Sequence, residues 1–305
     1  MEQEYDIIVP MTIENLPVFQ RNVEWMKKNL SGRRIFVVGA EVLKVPAEKL
    51  GVEFIPEDTV VLGMSLGQIR TCLEGRLGDG SRAGWYFQQF LKLGYAFRCR
   101  EEYYIVWDAD TIPLQRIRHM IDGHPVFTKK EEMEPAYFET LEHLFGGDVT
   151  RFGNFSFICE NMIFHVEIVK EMLERIMEQP GLSGNSFWER ILSAVSDESL
   201  PQSGFSEFET YGNYVMRYHP GLYHLRTLQG LRKGAEYFGM SPTETQLRWA
   251  ARSYDTIAFE RWSCHRRILG FLCGNPCIRA LLPLSFLVWM KTTIANKRQK
   301  GRSDE

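Results

Sequence analysis

Tyr103-Tyr104-Ile105-Val106-Trp107-Asp108-Ala109-Asp110-Thr111-Ile112-Pro113 is an aromatic and branched apolar run that ends in two acids one residue apart, with a proline close behind. Such a run reads as a buried strand, and the proline stops it. The strand delivers carboxylates to its carboxyl end, which in an open α/β sheet is where ligands bind. Mg²⁺ and Mn²⁺ take hard oxygen ligands, one or two of them carboxylates, with phosphate oxygens and water filling the shell. Asp108 and Asp110 are accordingly read as holding a metal that neutralises a diphosphate. The plainer reading makes Asp110 a turn former or helix cap ahead of Thr111-Ile112-Pro113. The strand before the acids and the helical segments upstream favour the metal.

Working outward, Tyr5 to Val9 reads as a first strand closed by Pro10-Met11-Thr12, followed by an amphipathic helix from Ile13 to Leu30. Arg34 to Gly39 and Val52 to Ile55 are two more strands, and strand, helix, strand at this spacing implies a parallel sheet. Gly63 to Gly80, rich in glycine around a short helical piece at Leu66 to Leu73, reads as a mobile or site-facing loop. Trp85 to Phe97 is a helix whose apolar surface is interrupted by Gln88, Gln89 and Lys92, residue types that usually lie in solvent. Pro125 to Thr128 is a further strand, and Glu131 to Gly147 a helix whose aromatic residues line either a cleft or the core.

Phe155 to His165 is predicted to cross the sheet as one strand, broken by a bulge at Glu160-Asn161 that aims those polar groups at the cleft. A buried Glu160 requires a partner or water. Asn161 is a candidate partner for a sugar hydroxyl. Helices follow at Val166 to Met177 and Asn185 to Ala194. Ser206 with Glu209 three residues later has the pattern of a capping box, which gives Glu209 a structural duty. Glu207 has none, so it is the first candidate for the base that takes an acceptor hydroxyl's proton in an inverting transfer, with Glu209 second. The first turn of a helix is expected to lower a carboxylate's pKa, which weakens that assignment. A front-face retaining reaction, which needs no dedicated base, stays open. Tyr254 to Phe259 completes the fold.

The chain has 305 residues, 44% of them hydrophobic, and a formal net charge of -3, an ordinary globular composition with no call for nucleic acid. Its six cysteines show no paired metal spacing, so a zinc site is not expected and reduced thiols are. The first residues hold no basic and apolar leader, which points to the cytoplasm. From Arg261 onward the charge turns basic, with Arg266, Arg267, Arg279, Lys291, Lys297, Arg298, Lys300 and Arg302 around two apolar pieces. These pieces are shorter than the roughly 20 residues a spanning helix needs. The tail is read as lying in the membrane interface at the inner face, against the alternatives of packing on the protein's own core or on another subunit.

With Asp108-Ala109-Asp110 after Tyr104 to Trp107, with Gly84 to Leu93, and with Ser206 to Tyr214, the chain resembles nucleotide-sugar glycosyltransferases of the A-type (GT-A) fold, and more narrowly small bacterial proteins of surface polysaccharide loci. The resemblance implies an α/β/α sandwich with a mostly parallel central sheet as a catalytic domain over residues 1–260, followed by the basic, apolar helical tail at 261–305. It implies transfer of a sugar from a nucleotide-diphosphate sugar, with Mn²⁺ or Mg²⁺ on Asp108 and Asp110, to a hydroxyl of a glycan or lipid-linked acceptor. Pro10, Met11 and Thr12 would cradle the nucleotide base, and Gln89, Lys92 and Trp107 would line the donor site. A late histidine, His219 or His224, would join the metal, and Arg226, Arg232 and Lys233 would offset the leaving diphosphate. The rival readings are a nucleotidyltransferase using the same acids, identified by pyrophosphate release, and a catalytically silent scaffold that binds glycan or membrane.

Overall fold

The computed structural model describes residues 5–260 and 267–303, with residues 32, 33, 267 and 294–303 described by backbone alone. Arg261, Cys264 and Arg266 of the basic tail lie outside the described residues, as do the first four residues. The chain runs β1 (Tyr5–Pro10), α1 (Leu16–Asn29), β2 (Gly32–Gly39), α2 (Lys44–Lys49), β3 (Glu53–Pro56), α3 (Leu66–Leu77), α4 (Ala83–Gly94) and β4 (Tyr103–Trp107). It continues through β5 (Thr111–Pro113), β6 (Met120–Ile121), β7 (His124–Thr128), α5 (Pro135–Leu144), β8 (Asn161–His165), α6 (Val166–Glu178), α7 (Phe187–Ala194) and α8 (Glu207–Tyr218). The last stretch holds β9 (His224–Arg226), β10 (Gly230–Leu231), α9 (Gly234–Phe238), α10 (Glu244–Ala250), β11 (Thr256–Ala258), α11 (Arg267–Gly274), α12 (Pro276–Leu281) and α13 (Leu284–Ser303).

The chain divides into two compact units, the first of Met1–Glu14, Ser31–Ala109 and Arg118–Thr227, the second of Asn15–Leu30, Asp110–Ile117 and Leu228–Glu305. The first unit holds a five-stranded sheet in the order β3-β2-β1-β4-β8. β1, β2, β3 and β4 are parallel and β8 closes the edge antiparallel, so the expected mostly parallel α/β sheet is present. β1 and β4 are buried along their whole length, which is why their sequences, Asp6 apart, read as apolar runs rather than alternations. The one acid inside β1, Asp6, is matched by the Arg34 guanidinium at 2.9 Å and the Tyr95 hydroxyl at 3.1 Å.

Two expectations fail here for local reasons. The glycine-rich stretch before residue 80 is mostly helix: Ser65 caps it by accepting from the Gln68 N–H at 3.3 Å, and Gly78, at φ 73°, ends it. Gly67 and Gly75 sit inside α3, where a helix tolerates them at a modest cost. The segment ahead of β8 is not one bulged strand. Ser156 makes an isolated bridge with Lys130, and pairing with β4 begins only at Asn161. Residues 156–158 are held instead by a side chain of α8, described below.

α8 approaches this segment closely at Gly212, where an added Cβ would come within 2.4 to 2.9 Å of the Phe157 ring. Neither partner has room, since Phe157 is fully buried. Gly212→Ala is expected to destabilise the protein by about 1–3 kcal/mol through overpacking. Urea denaturation reads it, and an unchanged midpoint would mean that the helix slides without cost.

In the second unit β10, β11 and β5 form a small sheet. Its core brings together Val18, Trp25, Ile112 and Leu231 with Cys273, Leu284 and Leu287. The described helices from residue 267 onward therefore supply part of this core. Five of the six cysteines are described, and all five are free.

Candidate functional site

In the sheet order of the first unit, β1 is followed on one side by β2 and β3 and on the other by β4. The gap beyond the carboxyl ends of β1 and β4 is thus a topological switch point, the place where open α/β sheets bind ligands. β1 runs out at Pro10-Met11-Thr12 and β4 at Asp108, and the two strands are in register with Ile8 beside Val106. The two stretches that the sequence nominated for base and diphosphate therefore flank one crevice. α4 also reaches this edge, where the Gln88 amide donates to the Pro10 carbonyl at 3.0 Å.

Lys92 occupies the centre. Its ammonium lies 2.8 Å from Asp108 and 2.8 Å from Glu207, and above the Phe208 ring at 4.5 Å. Lys92 is on the inner face of α4, and Glu207 opens α8 directly after its cap, Ser206. Turned so that its nitrogen faces Glu207, the Gln89 amide donates to both of that carboxylate's oxygens. Glu207 and Lys92 are buried, at 1% and 3% exposure, and Asp108 is the partly exposed member, its side chain at 28%. The exposure of Gln89 and Lys92 that their residue types suggest is thus not found.

Burial alone would lower the Lys92 pKa, but the charges of Asp108 and Glu207 overcome it and raise it, so the ammonium stays charged. Burial raises Glu207 above the ordinary carboxylate value, and Lys92 pulls it only partly back. The two ends of this pair differ because the ammonium has two carboxylates while Glu207 shares its cation with Asp108. The lowering that the helix terminus implies for Glu207 is therefore overridden by desolvation.

Glu209 has the structural duty foreseen for it but by another route. The Ser206 hydroxyl does accept from the Glu209 N–H at 3.2 Å, while the Glu209 carboxylate turns away from the cap. One oxygen accepts from the Ser156 hydroxyl at 2.6 Å and the Phe157 N–H at 2.9 Å, and the other from the Asn213 amide at 2.9 Å. It is fully buried and fixes residues 156–158.

From there the chain passes to Glu160, whose carbonyl accepts the Asp108 N–H at 2.9 Å and whose carboxylate is paired with Lys130, the partner that a buried acid requires. Asn161 is buried, its side-chain oxygen 3.0 Å from His119 Nε2. Trp107 is fully buried beneath them, its ring edge-on to His119 at 6.2 Å, so it supports the strand end and presents no surface to a ligand. Burial, and secondarily Arg226, lower the His119 pKa to about 3, so the ring is neutral. Nothing in the sequence marks His119, because its burial is created by strands far away in the chain.

The histidines nominated for a metal do not join Asp108. His219 follows the last residue of α8, twelve residues after Glu207 and so about 18 Å along the axis, and it meets Glu171 at 3.0 Å. His224 is exposed and stacks on His124 at 4.4 Å. Among the described residues no cluster of three or more His, Cys, Asp or Glu side chains is placed to hold a metal ion. A metal on Asp108 would therefore take most of its ligands from phosphate oxygens and water, which suits Mg²⁺ or Mn²⁺. Asp110 belongs to the second unit, where its carbonyl accepts the Phe259 N–H at 2.9 Å. Of the trailing bases, Arg226 donates to Thr128 at 3.2 Å, and Arg232 of the second unit pairs with Glu260 at 2.7 Å.

The profile of a family of unknown function (DUF6492) matches residues 53–229, more than half of the chain. No curated protein matches the sequence. Among solved structures the fold is similar to apo mouse xyloside xylosyltransferase 1, with 13% identity, a TM-score of 0.45, and coverage of 86% of this chain and 99% of that one. It is similar also to the apo WbbM bifunctional glycosyltransferase, with 10% identity, a TM-score of 0.44, and coverage of 85% of this chain and 46% of that one.

Proposed function

We propose a function for this chain, which belongs to the DUF6492 family: it is a metal-dependent glycosyltransferase that moves a sugar from a nucleotide-diphosphate sugar to a hydroxyl of a glycan or lipid-linked acceptor, in surface polysaccharide synthesis on the cytoplasmic side. The observation that carries the reading is the buried Lys92 ammonium, held between Asp108 and Glu207 at the carboxyl end of β4. A charged group kept in a crevice at a switch point, beside a partly exposed carboxylate, suits a ligand that brings both a cation and a polyanion.

Asp108 would hold Mg²⁺ or Mn²⁺ through carboxylate oxygens, with phosphate oxygens and water completing the shell. The metal would supply Lewis-acid stabilisation of the departing diphosphate. Lys92 would meet the diphosphate's remaining charge, and Pro10 to Thr12 would bound the nucleotide base. Glu207, buried and committed to Lys92, is assigned to keeping that ammonium charged and aimed; Glu209 is assigned to the backbone that presents Asp108. Asn161, next in the chain to Glu160, remains the candidate for a sugar hydroxyl.

Calorimetric titration of UDP, GDP and CMP, each with and without Mn²⁺, tests this. One nucleotide is expected to bind only with the metal, and about 100-fold more weakly to Asp108→Asn, a change of ~2.7 kcal/mol. No binding of any nucleotide to the folded wild-type protein would sink the proposal.

A further inference from the structure

The helices beyond residue 267 bury one side and leave the other bare. Cys273 of α11 and Leu284 and Leu287 of α13 are buried in the core of the second unit. On the outside stand Ile268 and Phe271 of α11, at 76% and 74% exposure, Leu281 of α12 at 81%, and Trp289 of α13 at 61%. Phe286 and Trp289, three residues apart, stack at 5.8 Å on the side of α13 opposite Leu284 and Leu287. Five large apolar side chains on three consecutive helices exceed the scattered exposure normal for a soluble surface. The sequence around them is one-signed: from Arg261 to Ser303 it contains nine Lys and Arg residues and no acid.

Two of those bases serve the fold. Arg279 donates to the Cys273 and Gly274 carbonyls at 2.8 and 2.7 Å, and Lys291 pairs with Glu236. The others outnumber them and cluster late. Lys297 and Lys300 follow Phe286 and Trp289 by eleven residues each in the sequence. Among the described residues no helix is long and apolar enough to cross a membrane.

We infer that the exposed Ile268, Phe271, Leu281, Phe286 and Trp289, with the basic residues of the same stretch of sequence, dock on an anionic lipid surface. Apolar rings enter the headgroup boundary while Lys and Arg meet anionic headgroups, the two attractions an interfacial helix combines. A protein partner or a second copy would bury the same rings, but an acid-free run of this length matches a uniformly negative surface. The inference stands on the second unit alone and does not depend on the sugar-transfer reading.

Cosedimentation of the full chain with vesicles tests it, comparing phosphatidylcholine alone with phosphatidylcholine containing phosphatidylglycerol. Binding is expected to be at least about tenfold stronger on the anionic vesicles and to weaken as salt rises. Phe286→Ser with Trp289→Ser is expected to lower partitioning about tenfold, with thermal melting unchanged because both side chains are exposed, and Lys297→Glu with Lys300→Glu by a similar factor. Equal binding to both vesicle types, or full binding by the serine variant, would overturn the inference. So would sedimentation velocity showing a lipid-free dimer that the serine variant dissolves, since the face would then belong to a second copy. Salt titration of the wild type keeps the test valid if a variant folds poorly.

Discussion

Lys92→Met is expected to cost about 3–5 kcal/mol of stability at neutral pH, the usual consequence of leaving a buried charge without its partner. The methionine fills the volume, so the loss is electrostatic: Glu207, at 1% exposure, would keep the Gln89 amide and a backbone N–H but no cation. The pH dependence follows from the direction of its shift. Burial already raises Glu207, and without Lys92 only neutral hydrogen bonds oppose it, so its folded pKa moves further above the ordinary 4.5. A carboxyl with a raised folded pKa favours the fold below the unfolded value and loses that contribution as pH rises through the folded one. The variant should therefore approach wild-type stability in acid and fall away from it towards neutrality. Adding Glu207→Gln removes the orphaned charge and should restore most of the stability. Nucleotide binding, on the sugar-transfer proposal, should stay lost in both variants because the ammonium is absent from both. Urea melts across pH for the single and double variants give the answer; a single variant as stable as wild type at pH 7 would show that Lys92 does not compensate Glu207.

The sequence made Asp108 visible because a fully buried strand has no polar residues to dilute the signal, so the first acids after it mark its end. It made Pro10 to Thr12 visible as the end of another strand, but not that the two ends are neighbours. That depends on β4 adding beside β1 rather than beside β3, a choice made by packing between segments far apart in sequence. Lys92 is the intermediate case. Its place on an apolar helix face is legible, while its meaning depends on α8 presenting Glu207 to the same spot. His219 stands at the far end of α8, a dozen residues from Glu207, where it meets Glu171, and that pairing depends on α6, which the sequence of α8 does not reveal. The basic tail misled differently: its charge announced a surface, and the same helices also complete a core.

Glu209→Ala is expected to cost a further large amount, about 3–5 kcal/mol, because three buried donors lose their acceptor together. The Ser156 hydroxyl, the Phe157 N–H and the Asn213 amide all converge on this carboxylate, and Ser156, Phe157 and Asn213 are each no more than 1% exposed. Water entering the space vacated by the side chain would satisfy some of them, which keeps the figure below the full sum. Glu209→Gln should cost less, about 1–3 kcal/mol, since its oxygen still serves Ser156 and Phe157 while its NH₂ faces the Asn213 donor. Burial raises the Glu209 pKa above the ordinary 4.5, against the opposing pull of Ser156, Asn213 and the backbone donors. Wild-type stability from this group is thus fullest below that value and declines as pH rises through the raised one, whereas glutamine does not titrate; the wild type's lead over Glu209→Gln should shrink with rising pH. The damage should also travel. Residues 156–158 lead directly to Glu160, whose carbonyl holds the Asp108 N–H, so the alanine variant should speed amide exchange at Asp108 as well as at Phe157. Denaturation with hydrogen exchange on the same samples separates the two effects. An alanine variant within ~1 kcal/mol of wild type would mean that solvent reaches these donors, and unchanged exchange at Asp108 would mean that β4 fixes the acid without help from α8.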